Sequence, residues 1–252
     1  RHYVRAVNDK AEQQGFVGLY GDTDSAFLKV PNEKTKEDVA EFVRNANKDL
    51  PQTMELEFEG YYKRGIFVTK REGGAAKKKY ALIDFNNKLK IVGFEYVRRD
   101  WAKIAKDTQR EVLEAVLMEG RPERAIEIVR QKIKLLREGK IPKKDLIIMT
   151  QLKKPIKKYD SIGPHVAAAI KAVQRGKEIG VGSTLEFVIT KNGKSISEKS
   201  ELAEFVKEGN YDADYYIEHQ LVPAVSRIIE ELGVKKNDLI HGGTQRSLDS
   251  FM

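Results

Sequence analysis

The 252 residues include 46 lysines and arginines against 38 acids, a net charge of +8, with 40% of positions hydrophobic and 33% charged. That balance describes a folded chain long enough for one large domain or two ordinary ones. The absence of cysteine excludes disulfides, thiolate metal sites and cysteine nucleophiles; no apolar run approaches the roughly 20 residues of a membrane span, and no signal-peptide pattern opens the chain.

Residues 2–14 place Tyr3, Val4, Val7 and Ala11 at helical spacing. Phe16–Leu19 and Ala26–Val30 read as two strands joined by a tight bend that holds Asp22 and Asp24. Thr35 caps a second helix with Val39, Phe42, Val43, Ala46 and Leu50 on one face. Met54, Leu56 and Phe58 alternate with Glu55, Glu57 and Glu59, the pattern of a half-buried strand with an acidic face. Further strands are expected at 66–68 and 80–85, with Asn86-Asn87 turning the chain into 89–92. From Asp100 the period becomes helical: one helix runs to Gly120, and a second opens at Pro122 and ends at Gly139. Ser161-Ile-Gly-Pro-His165 opens a small-residue helix, Ala167 to Val173. A strand at 185–190 and a turn at 191–194 precede a long helix from Asp212 to Leu232, kinked at Pro223. Residues after Ile240 read as a flexible tail. The expected class is α+β, an antiparallel sheet with helices followed by a mainly helical domain.

The charge is unevenly spread. Residues 1–60 hold eight basic and twelve acidic side chains, 61–110 fourteen and five, 140–180 ten and three, and 196–252 six and eleven. Two basic blocks interleaved with aromatics point to a polyanion, most simply nucleic acid, or to two solvated lysine-rich faces. Asp22 and Asp24 flank one residue, so at a hairpin both can reach one cation, and hard oxygen ligands suit Mg²⁺. Two-metal phosphoryl transfer needs a further carboxylate, for which Glu57 and Glu59 are the candidates. A plain surface turn fits the same two residues. An Asp-x-Asp holding a nucleotide sugar would require a nucleotide-binding α/β first half, which the pattern lacks.

Tyr20-Gly-Asp-Thr-Asp-Ser25 between two strands resembles the third palm motif of family B DNA polymerases. Glu55-Leu-Glu-Phe-Glu-Gly-Tyr-Tyr-Lys-Arg-Gly65 resembles the strand that follows in archaeal members, and Lys77-Lys-Lys-Tyr80 is similar to the family's Lys-Lys-Arg-Tyr signature. Gly93-Phe-Glu-Tyr-Val-Arg-Arg-Asp-Trp101, Ser161-Ile-Gly-Pro-His165 and Tyr211-Asp-Ala-Asp-Tyr-Tyr-Ile217 are similar to thumb landmarks. The match runs in order along essentially the whole chain.

The resemblance implies a palm edge over residues 1–76, a thumb over 77–240 and a tail over 241–252. It implies two Mg²⁺ ions, with Asp24 a direct ligand, Asp22 its partner nearer the primer terminus, and Glu59 a third carboxylate near the metals. Thr23, Lys77, Lys78, Lys79, Tyr80, Arg98 and Arg99 would contact primer–template DNA, and deoxynucleoside triphosphates would be the substrates. Residues 70–76 look like an insertion ahead of the lysines. The family's first palm motif, fingers and exonuclease domain lie outside these 252 residues. The implied partner is therefore a larger polymerase chain, either the rest of a cut protein or the large subunit of a split one. Gln245, Leu248, Phe251 and Met252 resemble a clamp-binding peptide, whose residues three apart align in a 3₁₀ turn. A sliding clamp and a cytoplasmic, nucleoid-associated location follow from the resemblance. The rival reading is a non-catalytic DNA- and clamp-binding accessory protein.

Overall fold

The structure, a computed structural model, describes residues 2–21, 24–69, 75–234 and 239. The chain forms two compact units, Arg1–Lys90 and Ile91–Met252.

In the first unit α1 (His2–Gln13) buries Val7 and Ala11. Gly15, at φ +81°, ends it: its N–H reaches Glu12 O at 3.0 Å and the Phe16 N–H reaches Ala11 O at 2.9 Å. This closing turn satisfies helix-end carbonyls and drives Phe16 inward. After the hairpin of β1 (Val17–Gly21) and β2 (Ala26–Lys29) comes α2 (Lys36–Lys48), opened by a reciprocal cap. Thr35 Oγ1 accepts from Asp38 N at 3.2 Å, and Asp38 Oδ2 accepts from Thr35 N at 2.6 Å. The Thr35 backbone N–H is the main reason the Asp38 carboxyl lies below its ordinary pKa. Val7, Ala11, Phe16, Val39, Phe42 and Ala46 form one core, with the Phe16 and Phe42 rings 5.2 Å apart.

The acidic alternation at 54–59 does not make a strand. Residues 54–60 carry no regular structure, and Met54 and Phe58 are exposed. Asn47 explains the difference. Its side-chain amide accepts from Leu56 N at 2.7 Å and donates to Leu56 O at 3.0 Å, answering both backbone groups that a neighbouring strand would have paired. Leu56 packs on the core; its neighbours face water.

β3 (Tyr62–Thr69), β4 (Ala75–Asp84) and β5 (Leu89–Val92) form a sheet in that order. The turn after β4 is built as the Asn pair suggests. Asp84 Oδ1 accepts from Asn86 N at 2.9 Å and Lys88 N at 2.8 Å, and Asn87 takes φ +61°.

The second unit holds α3 (Lys103–Glu114), α4 (Pro122–Arg137), β6 (Ile148–Gln151), α5 (Pro164–Gln174), β7 (Thr184–Ile189), α6 (Ile196–Lys199), β8 (Ser200–Leu202), α7 (Ala213–Tyr215) and α8 (Val222–Glu231). α3 widens into a π turn at Ala115–Glu119 and stops at Gly120, which is left-handed at φ +67°. Strands β6, β7 and β8 form an antiparallel sheet. The kink expected at Pro223 is a π turn over Tyr216–Leu221, where Val222 N bonds back to Ile217 O. The wider turn absorbs the donor that Pro223 lacks. No helix among the described residues is long and apolar enough to cross a membrane.

Two tyrosines pin this unit. Tyr216 OH donates to Leu146 O at 2.8 Å and accepts from Ile189 N at 3.1 Å; burial pushes its pKa well up. Tyr211 OH donates to Leu136 O at 3.0 Å. Tyr216→Phe should leave two buried backbone groups without these partners, at about 1–3 kcal/mol each. Thermal unfolding followed by circular dichroism should then show a midpoint lower by roughly 5–15 °C. An unchanged midpoint would mean that water replaces the hydroxyl.

Candidate active site

The β1–β2 register explains how the Asp-x-Asp tip is presented. Gly18 pairs with Leu28, Tyr20 with Phe27 and Gly21 with Ala26, so Leu19 is an extra residue on β1. Such a bulge reverses which side chains share a face. Gly18 and Gly21 accordingly lie against α1, where an added Cβ would sit 3.6 Å from Glu12 Oε1 and 3.5 Å from Asn8 Nδ2. Tyr20 instead joins an aromatic cluster, 5.2 Å from Phe67, 5.8 Å from Phe27 and 5.8 Å from Tyr80. In sequence, residues 22–25 link the paired Gly21 and Ala26. Asp24 is exposed at a bend there; Asp22 and Thr23 lie outside the described residues.

A second irregularity carries the lysines. In the β3–β4 ladder Phe67 pairs with Tyr80, but Thr69 pairs with Ala75, so residues 76–79 bulge opposite Val68. Lys78 has φ +55°. A left-handed lysine costs about 1 kcal/mol and needs a compensating contact. That contact comes from the hairpin: the Lys78 N–H donates to Tyr20 OH at 2.8 Å. The Lys78 side chain is exposed and Lys79 is half-buried, whereas the Tyr80 ring is 8% exposed within the aromatic cluster. The side chain of Lys77 lies outside the described residues. A Cβ at Gly65 would come within 2.6 Å of Leu82 Cδ2, so the Leu82 side chain would have to shift to admit one.

Glu59 is engaged elsewhere. It forms an exposed ion pair with Lys90, whose pKa rises chiefly through that hydrogen bond. Among the described residues no three His, Cys, Asp or Glu side chains cluster to hold a metal ion. Asp24 thus stands as an exposed hard-oxygen donor, the chemistry Mg²⁺ accepts.

In the second unit Arg98 grips Asp100 with two bonds, Nε to Oδ1 at 3.0 Å and Nη2 to Oδ2 at 2.6 Å, and its guanidinium lies 6.0 Å from the Trp101 ring. The shared hydrogen bond raises the Arg98 pKa and lowers that of Asp100. Arg99 is exposed. This segment is held by buried Gln109, which motif reading does not single out. Its Oε1 accepts from Tyr96 N at 2.8 Å and its Nε2 donates to Glu95 Oε2 at 2.7 Å and to Ala224 O. Lys153, Lys157 and Lys158 are exposed in the second basic block. His165 meets Tyr159 edge to face at 5.7 Å, and burial lowers its pKa, which suits a packing residue. Gln245, Leu248, Phe251 and Met252 lie outside the described residues.

The model of DNA polymerase family B matches residues 2–232. The chain belongs to that family. It is 49% identical over 255 residues to a DNA polymerase of Methanocaldococcus jannaschii, covering 100% of this chain and 15% of that protein. With a Pyrococcus glycovorans DNA polymerase it shares 42% identity over 245 residues, 95% of this chain and 31% of the other. A solved family B DNA polymerase from Pyrobaculum calidifontis superimposes with a TM-score of 0.71 at 33% identity, over 93% of this chain and 29% of that one. The family B chain thus spans under a third of the length of each of these relatives.

Proposed function

We propose that this chain is the C-terminal palm edge, residues 1–76, and thumb, residues 77–240, of a DNA-directed DNA polymerase, completed by the remaining palm, fingers and exonuclease, carried either by a larger partner chain or by a preceding region of the same polymerase. The observation that carries the reading is the bond between Tyr20 and Lys78, which ties the Asp-x-Asp hairpin to a lysine bulge. Acid for metal beside base for phosphate is what nucleotide addition to a primer needs. Asp22, Asp24 and Glu59 would hold two Mg²⁺ ions, Glu59 exchanging Lys90 for metal. Bound there, the ions would supply charge stabilisation to the transferring phosphoryl group. Lys77, Lys78 and Lys79 supply point charges that grip primer phosphates without reading bases. Thr23, Tyr80, Arg98 and Arg99 would add further contacts to DNA. The exposed Val17 and Leu19 on β1 of the hairpin, 51% and 54% accessible, would give the rest of the polymerase an apolar surface to cover. Gln245, Leu248, Phe251 and Met252 would tether the assembly to a sliding clamp, raising its local concentration on DNA. The work would take place at the nucleoid, in the cytoplasm.

Affinity capture of the tagged chain from its source cells, followed by mass spectrometry, tests this. A longer family B polymerase chain should accompany it, or contain it, in a fraction that extends primers. Capture of the chain alone, with no extension, would contradict the proposal.

A further inference from the structure

Two of the register irregularities in the first unit meet at one hydroxyl, and we propose that Tyr20 is a positioning residue that sets the lysine bulge relative to the acidic tip. The inference rests on the DNA-binding reading of Lys78 and deepens it.

A bulge leaves the ladder, so the strand pairing that fixes the rest of β4 does not fix residues 76–79. A backbone contact from outside the ladder can link a lysine there to the hairpin. Tyr20 OH does so across 58 residues of sequence, accepting the Lys78 N–H at 2.8 Å where φ is +55°. The phenol is itself immobilised: Tyr20 is 7% exposed, and its ring lies among Phe27, Phe67 and Tyr80. Its own backbone lies two residues before Asp22 in sequence, and the extra residue Leu19 turns the ring away from α1 toward the bulge. One side chain therefore registers both the carboxylate tip and the lysine that would hold the primer phosphate. Productive geometry tolerates little slack between such groups. The sequence order follows from this: a tyrosine close before the acids reaches the bulge, where phenylalanine would fill the same space but accept nothing.

The test is Tyr20→Phe in the full chain, which keeps the ring and removes the acceptor. Phe42→Leu, in the separate core around α1 and α2, is the control for simple destabilisation. Amide hydrogen exchange at Lys78, read by NMR, should quicken at least about tenfold in Tyr20→Phe and stay as in the parent in Phe42→Leu. Primer–template binding measured across salt should lose about one unit of slope in log affinity against log salt, the loss given by Lys78→Ala. The double variant Tyr20→Phe with Lys78→Ala should lose no more. Parental exchange at Lys78 in Tyr20→Phe, or a parental slope despite faster exchange, would overturn the positioning role. A parental slope in Lys78→Ala would strike the DNA-binding reading of that lysine, and the positioning role with it. A parental amide exchange in Tyr20→Phe strikes the positioning role alone.

Discussion

Asp24→Asn should cut nucleotide addition by the assembled polymerase roughly 10³-fold or more, since the metal contributes several kcal/mol of charge stabilisation and each ~1.4 kcal/mol is tenfold in rate. Asparagine keeps the size of the side chain and its fit at the exposed bend. What it removes is the charge that would hold a hard divalent cation. Primer–template affinity should be nearly unchanged, because Asp24 carries no positive charge for phosphate. Single-turnover extension and DNA binding measured side by side separate the two effects. An Asp24→Asn enzyme within tenfold of the parent rate would remove Asp24 from the metal site.

Primer–template binding by the chain itself should weaken about 10³- to 10⁵-fold between 50 and 200 mM salt, the range for six to ten neutralised phosphates. The cations concentrate at 61–110 and 140–180. Lys78, Lys153, Lys157 and Lys158 are exposed, so their ammonium groups can replace counterions on the duplex. Replacing Lys153, Lys157 and Lys158 together by alanine should lower the salt slope by about three without altering the thermal midpoint. Fluorescence anisotropy with duplexes of two unrelated sequences is the measurement, and both should respond alike because phosphate contacts carry no base information. A flat salt dependence would make the two basic blocks ordinary solvated faces.

Much of this architecture can be read from the residues because its signals are local. The Thr35 cap, Gly120 after α3, Pro122 opening α4 and Asn87 in its turn each act within a few positions. The features missed depend on distant partners. The alternation at 54–59 reads as a strand until the Asn47 amide takes both Leu56 backbone groups. Strands β6 and β8, of four and three residues, are too short to show a period and exist through pairing with β7. At the site, the acids stand out as a motif and the lysines as a run, but nothing in either predicts that Tyr20 and Lys78 share a hydrogen bond. That bond requires a bulge in each of two hairpins, and a bulge is defined only by the strand opposite. A tyrosine expected to be buried still carries a hint, since its hydroxyl must find a partner.

The most direct measurement of the central claim, that this chain supplies one half of a polymerase active site, is complementation in primer extension. The larger chain alone and this chain alone should each add no nucleotides. The two together should extend a primer according to its template in Mg²⁺, and the mixture with Asp24→Asn should not. Robust extension by either chain alone, or full restoration by Asp24→Asn, would contradict the account.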